Sequence, residues 1–83
     1  MPVMKSLRTP EHQKLITLLS AAREKAGLTQ QQLADRLGKP QSYVAKYEGG
    51  ERRIDVIEFI SIARALNFDA GRAVREVGAK YGD

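Results

Sequence analysis

Residues 28–51 constrain the fold more than any other part of the sequence, because they encode two short helices with a tight break between them. Thr29 is a good N-cap residue, and Gln32 follows it at the spacing of a capping box, so a helix is expected to begin here. Gly38 is expected to end that helix in the left-handed conformation. Pro40 then suits the first turn of a second helix, where its missing N–H costs nothing.

The second helix, about residues 40–48, has an apolar inner face and a small polar outer face. Val44 and Tyr47, three residues apart, are expected to face the core. The outer side chains can all contact base edges, since Gln suits adenine, Lys suits guanine, Ser suits either and Ala suits the thymine methyl group. These outer residues are Gln41, Ser42, Ala45 and Lys46. The pattern predicts a helix-turn-helix whose second, recognition helix can enter a DNA major groove.

Four short motifs extend this pattern in a fixed order. They are Gly-Leu-Thr-Gln-x-x-Leu-Ala at 27–34, Leu-Gly at 37–38, Tyr-Glu-x-Gly at 47–50 and Ile-Ala-x-Ala-Leu at 62–66. Together they resemble the phage-repressor/Cro-like helix-turn-helix family, often called the Xre family, over about residues 19–66. The resemblance implies an all-α, five-helix bundle with a lambda-repressor-like helix-turn-helix.

The same resemblance implies roles for residues beside the recognition helix. Gln30 stands where the family has a glutamine that contacts phosphate, and the positive end of its helix would assist that contact. Arg23 and Glu48 stand where the family has an ion pair, in which the guanidinium holds the carboxylate through two hydrogen bonds. The alternative is that these two residues are independent surface charges.

The charged segment at 51–53 follows the recognition helix. Loops in this position contact the phosphate backbone in the family, so Arg52 and Arg53 are expected to do so here. The alternative is a solvated loop without a partner. Tyr43 is expected to touch the DNA backbone or a methyl group. Pro40 departs from the expected pattern, since it has no backbone N–H to offer a phosphate.

Three further helices are predicted around this motif. The first begins at Thr9 and Pro10 and ends at Gly27, the fourth runs from the cap Asp55 to about residue 66, and the fifth runs from the cap Asp69 to about residue 80. Their expected apolar positions are Leu15, Leu18, Leu19, Ala22 and Ala26 in the first; Val56, Phe59, Ile62, Ala63 and Leu66 in the fourth; and Ala70, Ala73, Val74, Val77 and Tyr81 in the fifth. Residues 1–8 are expected to form a loose arm, and residues 9–83 one DNA-binding domain.

Ile57 and Ile60 are surplus to the family's core positions in the fourth helix. One recognition helix reads only a few base pairs, so such proteins usually bind as two-fold dimers. We therefore predict a homodimer interface formed by Ile57, Ile60, Val74 and Val77. The alternative is that the fifth helix folds back over the two isoleucines within one chain.

Composition limits the remaining choices. A chain of 83 residues allows one domain, and the net charge of +4 favours an acidic partner such as nucleic acid. The absence of Cys excludes disulfides and thiolate metal sites. We expect no signal peptide, membrane span, metal or cofactor, and a cytoplasmic location. The single histidine, His12, is expected to be solvated, and no catalytic set is visible, so an enzyme is not expected.

These observations predict a sequence-specific regulator of transcription that binds double-stranded DNA. It would act by occupying an operator, as a small repressor or controller. The alternative is an antitoxin-type interaction module with autoregulatory DNA binding, in which the surface around Ile57 and Ile60 binds a toxin-like protein.

Overall fold

The computed structural model describes residues 9–80, and the described chain consists of five α-helices and a closing 3-10 turn. The helices are α1 (Pro10–Lys25), α2 (Gln30–Leu37), α3 (Gln41–Glu48), α4 (Val56–Leu66) and α5 (Ala70–Val77), followed by the turn at Gly78–Lys80. The all-α, five-helix architecture predicted from the sequence is confirmed. The predicted arm at residues 1–8, and Tyr81, lie outside the described residues.

Side-chain caps set the starts of four helices. The caps are Thr9 for α1, Thr29 for α2, Asp55 for α4 and Asp69 for α5, and each accepts a hydrogen bond from the backbone N–H three residues later. These bonds satisfy N–H groups that have no partner within the helix. The predicted fifth helix is too long, since α5 ends at Val77 and Gly78 begins the 3-10 turn. Glycine is a poor helix residue because it loses more backbone freedom on folding.

All five helices contribute to one apolar core. Its buried members are Ile16, Leu19, Leu33, Ala34, Val44, Tyr47, Phe59, Ile62, Leu66 and Ala73. The two residues from α3, Val44 and Tyr47, are fully buried, so this short helix is held to the bundle by its inner face. Burial of this apolar surface is the main favourable contribution to the stability of so small a domain.

Several predictions about α1 and α4 are wrong. His12 is buried rather than solvated, because it lies one turn before Ile16 and on the same face of α1 as Leu19. Ile16 itself is a core residue that the predicted stripe omitted, whereas Ala26 lies beyond the end of α1 and is exposed. Val56, expected in the core, is 70% exposed because the first residue of α4 points to the solvent side.

The fifth helix neither folds back over Ile57 and Ile60 nor lies wholly outside the core. It packs mainly against α1 and buries Ala73, a small side chain that allows close helix contact. Val74, the next residue along α5, is exposed, and so are Ile57 and Ile60 of α4. The single-chain alternative is therefore wrong, and an apolar surface remains uncovered. No helix within residues 9–80 is long and apolar enough to cross a membrane.

Candidate nucleic-acid interface

The turn between α2 and α3 is defined by backbone geometry. The capping box of α2 is complete, with Gln32 N donating to Thr29 Oγ1 at 3.0 Å and Thr29 N donating to Gln32 Oε1 at 2.9 Å. Gly38 closes α2 in the left-handed conformation at φ 68°, as predicted. Pro40 is the residue before α3 rather than its first helical residue, so the recognition helix begins one residue later than expected.

The outer face of α3 is available to a ligand. Gln41, Ser42 and Lys46 are exposed, and Ala45 between them is half-buried. The face is polar and carries no bulky apolar group, so it can approach another surface closely. Because the inner face of α3 is locked into the core, the direction in which these side chains point is set by the fold.

One flank of α3 carries a nearly buried ion pair. Arg23 Nε donates to Glu48 Oε2 at 2.8 Å, and Arg23 Nη2 donates to Glu48 Oε1 at 3.1 Å. The side chains are only 12% and 7% exposed. Arg23 Nη1 also donates to the Leu28 carbonyl at 2.7 Å, which ties the loop after α1 to the same group. The hydrogen bond to Glu48 raises the pKa of Arg23, so the guanidinium is charged at every relevant pH.

This ion pair extends outward to the recognition face through two glutamines. Gln30 Nε2 donates to Glu48 Oε1 at 3.0 Å, and Gln41 Nε2 donates to Gln30 Oε1 at 2.7 Å. A carboxylate only accepts hydrogen bonds, so Glu48 requires the NH₂ group of Gln30. The amide oxygen of Gln30 is then available to accept from Gln41. The set Arg23, Gln30, Gln41 and Glu48 is called the Glu48 flank below. Sequence reasoning placed Gln30 and Gln41 separately and missed the bond between them.

The opposite flank of α3 is formed around Tyr43. At about 100° per residue, Tyr43 lies on the far side of the helix from Glu48. The guanidinium carbon of Arg52 lies 4.9 Å from the centre of the Tyr43 ring, and Lys39 Nζ lies 5.5 Å from it. The ring meets Tyr47 edge-on, with 5.7 Å between the two ring centres. Lys39, Tyr43, Arg52 and Glu58 are called the Tyr43 flank below.

Arg52, predicted to contact phosphate, is paired with a carboxylate within the chain. Its Nη2 donates to Glu58 Oε2 at 2.8 Å, and its Nη1 donates to Glu58 Oε1 at 3.1 Å. Hydrogen bonds from Arg52 and from the backbone N–H of Asp55 lower the pKa of Glu58 to about 2. Sequence reasoning missed Glu58, although the Asp-x-x-Glu spacing at 55–58 is a recognisable capping box.

The predicted dimer residues lie on neighbouring surfaces rather than on one patch. Val74 and Val77 line an apolar groove together with Val56 and Phe59. Ile57 and Ile60 are exposed on the adjoining side of α4, away from that groove. Arg53 is exposed in the loop after α3. Across residues 9–80, no cluster of His, Asp or Glu side chains could hold a metal ion.

Comparisons with known proteins agree with this arrangement. A family model described as helix-turn-helix matches residues 19–71. The solved structure of an XRE-family like protein from Pseudomonas syringae pv. tomato str. DC3000 is 41% identical, with a TM-score of 0.83, and the match covers 96% of this chain and 98% of that one. The clp gene regulator ClgR from C. glutamicum has a TM-score of 0.75 at 19% identity, covering 88% of this chain and 95% of its own, which shows a shared fold.

A comparison with curated protein sequences gives no match. The helix-turn-helix model nevertheless spans more than half of the chain, and the Pseudomonas relative covers nearly all of it at substantial identity. The residues that the helix-turn-helix model matches include the capped α2, the glycine turn and the recognition helix. The chain belongs to the XRE family of helix-turn-helix proteins.

Proposed function

We propose that the chain is a sequence-specific regulator of transcription that binds double-stranded DNA through α3. The observation that carries this proposal is the division of α3 into two faces, with Val44 and Tyr47 fully buried and Gln41, Ser42 and Lys46 exposed. Such a helix can enter the major groove without disturbing the core. The net charge of +4 favours association with DNA.

In this proposal Gln41, Ser42, Ala45 and Lys46 contact base edges. The bond from Gln41 Nε2 to Gln30 uses one N–H of the amide. The Gln41 oxygen and the second N–H remain, and these are the two groups that pair with N6 and N7 of adenine. Gln30 serves the site by orienting Gln41 and by reaching a phosphate near the N-terminus of α2. Arg53 and Tyr43 contact the DNA backbone from the far side of α3.

We further propose that the regulator works as a repressor that occupies a palindromic operator as a homodimer. One recognition helix reads too few bases to find a unique site. Recognition of such a site therefore requires a second copy of this chain. The apolar residues for that contact are exposed Ile57, Ile60 and Val74, with half-buried Val77, and they lie on two adjoining surfaces. Arg64 and Arg75 border it. Half-sites would then lie about 34–36 Å apart.

A second candidate function is an antitoxin-type module that binds a toxin-like protein and regulates its own gene. The observation that favours it is the exposure of Val56 and Ile57, at 70% and 71%, on a chain that offers no segment within residues 9–80 to cover them. Sedimentation of the purified protein at micromolar concentration separates the two candidates. A dimer supports the repressor, whereas a monomer leaves the apolar surface for a different partner.

Selection of bound duplexes from a random DNA pool tests the main proposal. We expect enrichment of a palindrome, and loss of about 1–3 kcal/mol of binding energy on that site for Gln41→Ala, with relaxed preference at one base position. Gln13→Ala is the matched control, because it removes an exposed glutamine from α1, outside the proposed interface. Failure to enrich any sequence, or equal binding by the Gln41 variant, would contradict the proposal.

A further inference from the structure

Arg52 is committed to contacts within the protein. Its two terminal nitrogens hold both oxygens of Glu58, at 2.8 and 3.1 Å, and Nη1 also donates to the Arg53 carbonyl at 2.9 Å. The guanidinium carbon lies over the Tyr43 ring, 4.9 Å from its centre. The carboxylate of Glu58 compensates the charge of Arg52, so this arginine adds little net positive potential for a phosphate.

Glu58 is itself anchored to the scaffold. Its backbone N–H donates to Asp55 Oδ1 at 2.7 Å, and its Oε1 accepts from Asp55 N at 2.9 Å, which together cap α4. The carboxylate that holds Arg52 is therefore part of the start of a core helix. Moving Arg52 onto a DNA phosphate would leave that carboxylate without its partner.

Tyr43 connects this anchor to the recognition helix. It is half-buried, and its ring packs edge-on against Tyr47, which is fully buried in the core. Arg52 lies over the same ring. Contacts thus run from α4 through Glu58 and Arg52 to Tyr43, and they brace α3 on the side opposite Glu48.

We propose that Arg52 is a positioning residue for DNA binding, which acts through Tyr43 with Glu58 as its anchor, and that it does not neutralise a phosphate. This proposal rests on the proposed function, since it concerns how α3 is held for DNA. It assigns Glu58 a role in binding although that residue never touches the ligand. It concerns Arg52 alone and leaves the phosphate contact proposed for Arg53 unchanged.

The sign of the effect of Glu58→Gln on DNA affinity is the first test. Gln is compatible with this position of a capping box, so α4 keeps its start while Arg52 loses a charged, bidentate partner. A positioning role predicts binding weaker by roughly tenfold on the selected duplex. Glu51→Gln is the matched control, because it removes the same charge from an exposed residue of the loop between α3 and α4 and should not weaken binding. Tighter or unchanged binding by Glu58→Gln overturns the proposal.

The salt dependence of binding is the second test. Each phosphate neutralised contributes about 0.9 to the slope of log affinity against log salt concentration. We expect Arg53→Gln to reduce the slope by about that amount, and Arg52→Gln to weaken binding with the slope unchanged. Arg52→Lys, which keeps the charge but loses the planar fork, should resemble Arg52→Gln in affinity. A slope reduced by about 0.9 in Arg52→Gln overturns the proposal.

Thermal melts of each variant, followed by circular dichroism, ensure that folded protein is compared.

Failure of the proposed function and failure of the positioning role give different results. If the wild-type protein selects no duplex, the proposed function fails and this inference fails with it. If the wild type binds its selected duplex but Glu58→Gln binds more tightly, only the positioning role of Arg52 is wrong.

Discussion

The two flanks of the recognition helix use the same chemical group in different surroundings. Each has a bidentate arginine–glutamate pair, Arg23–Glu48 on one side and Arg52–Glu58 on the other. The first pair is 12% and 7% exposed, whereas the second is 40% and 22% exposed. Water competes for the second pair and screens its charges, but it barely reaches the first.

The degree of burial changes how much each ion pair contributes to the stability of the fold. A nearly buried pair is costly to form, yet breaking it by removing one partner is more costly still, because the remaining charge stays buried. An exposed pair adds little to stability. We infer that the Glu48 flank maintains the fold of the helix-turn-helix, while the Tyr43 flank adjusts the position of α3 at small cost in stability. The predictions below test that division, in order of decreasing effect.

Removal of Glu48 should have the largest effect on stability. Glu48→Ala leaves the Arg23 guanidinium nearly buried without its carboxylate and breaks the bond from Gln30. We expect a loss of about 3–5 kcal/mol in the free energy of unfolding, measured by urea denaturation. That is a large share of the stability of a small domain. A loss below about 1 kcal/mol would mean that the pair behaves as a surface pair.

A double-mutant cycle sharpens the same point. The combined Arg23→Ala and Glu48→Ala variant should lose less stability than the sum of the single variants, by about 0.5–3 kcal/mol, because both remove one interaction. As a control, Arg23→Ala combined with Glu58→Gln should be close to additive, since the two residues share no hydrogen-bond partner. Additive losses for Arg23 and Glu48 would remove the basis for treating the Glu48 flank as a unit.

Glu58→Gln should have a smaller effect that depends on pH. The folded-state pKa of Glu58, about 2, lies below its unfolded value, so the ionised pair stabilises the fold above pH of about 4. This contribution is lost as the pH falls from about 4 to about 2. The difference in Tm between the wild type and Glu58→Gln should therefore shrink over that range and disappear only below its lower end. A difference independent of pH would assign the effect to capping rather than to charge.

Added salt should have the smallest effect on stability, and this effect should differ between the variants of the two flanks. Raising the ionic strength from about 0.1 M to about 1 M shortens the screening distance from about 10 Å to about 3 Å. We expect the stability penalty of Glu58→Gln to decrease, while that of Glu48→Ala changes little. Equal salt sensitivity of the two penalties, measured by thermal melts, would contradict the difference in burial.

The Glu48 flank was largely predictable from sequence, and the Tyr43 flank was not. Arg23 and Glu48 occupy positions that the family motifs mark, so the resemblance alone predicts their pairing. Arg52 was read as a phosphate contact because a charged loop beside a recognition helix has that role in the family. Nothing in the neighbouring sequence shows that the side chain of Glu58, in the first turn of α4, meets Arg52. That contact depends on how the loop between α3 and α4 folds.

The difference between local and long-range contacts also explains which helix starts and which buried residues were predicted correctly. Caps and glycine breaks are local, so the starts of α1, α2, α4 and α5 agree with the prediction. Burial is a property of the whole bundle, and it was predicted wrongly for one polar residue, His12, and one apolar residue, Val56. His12 is buried because of its neighbours on α1, and Val56 is exposed because no neighbour covers the start of α4. The dimer remains a prediction, since it requires a second chain.

The measurement that tests the central claim most directly is an NMR titration of labelled protein with the selected duplex. If α3 enters the major groove, the largest shifts will occur at Gln41, Ser42 and Lys46, and their size will fall in Gln41→Ala. Val56 and Val74, on the apolar surface, should shift little at fixed protein concentration. Shifts confined to Val56 and Val74, with none on the outer face of α3, would show that DNA is not bound by the recognition helix.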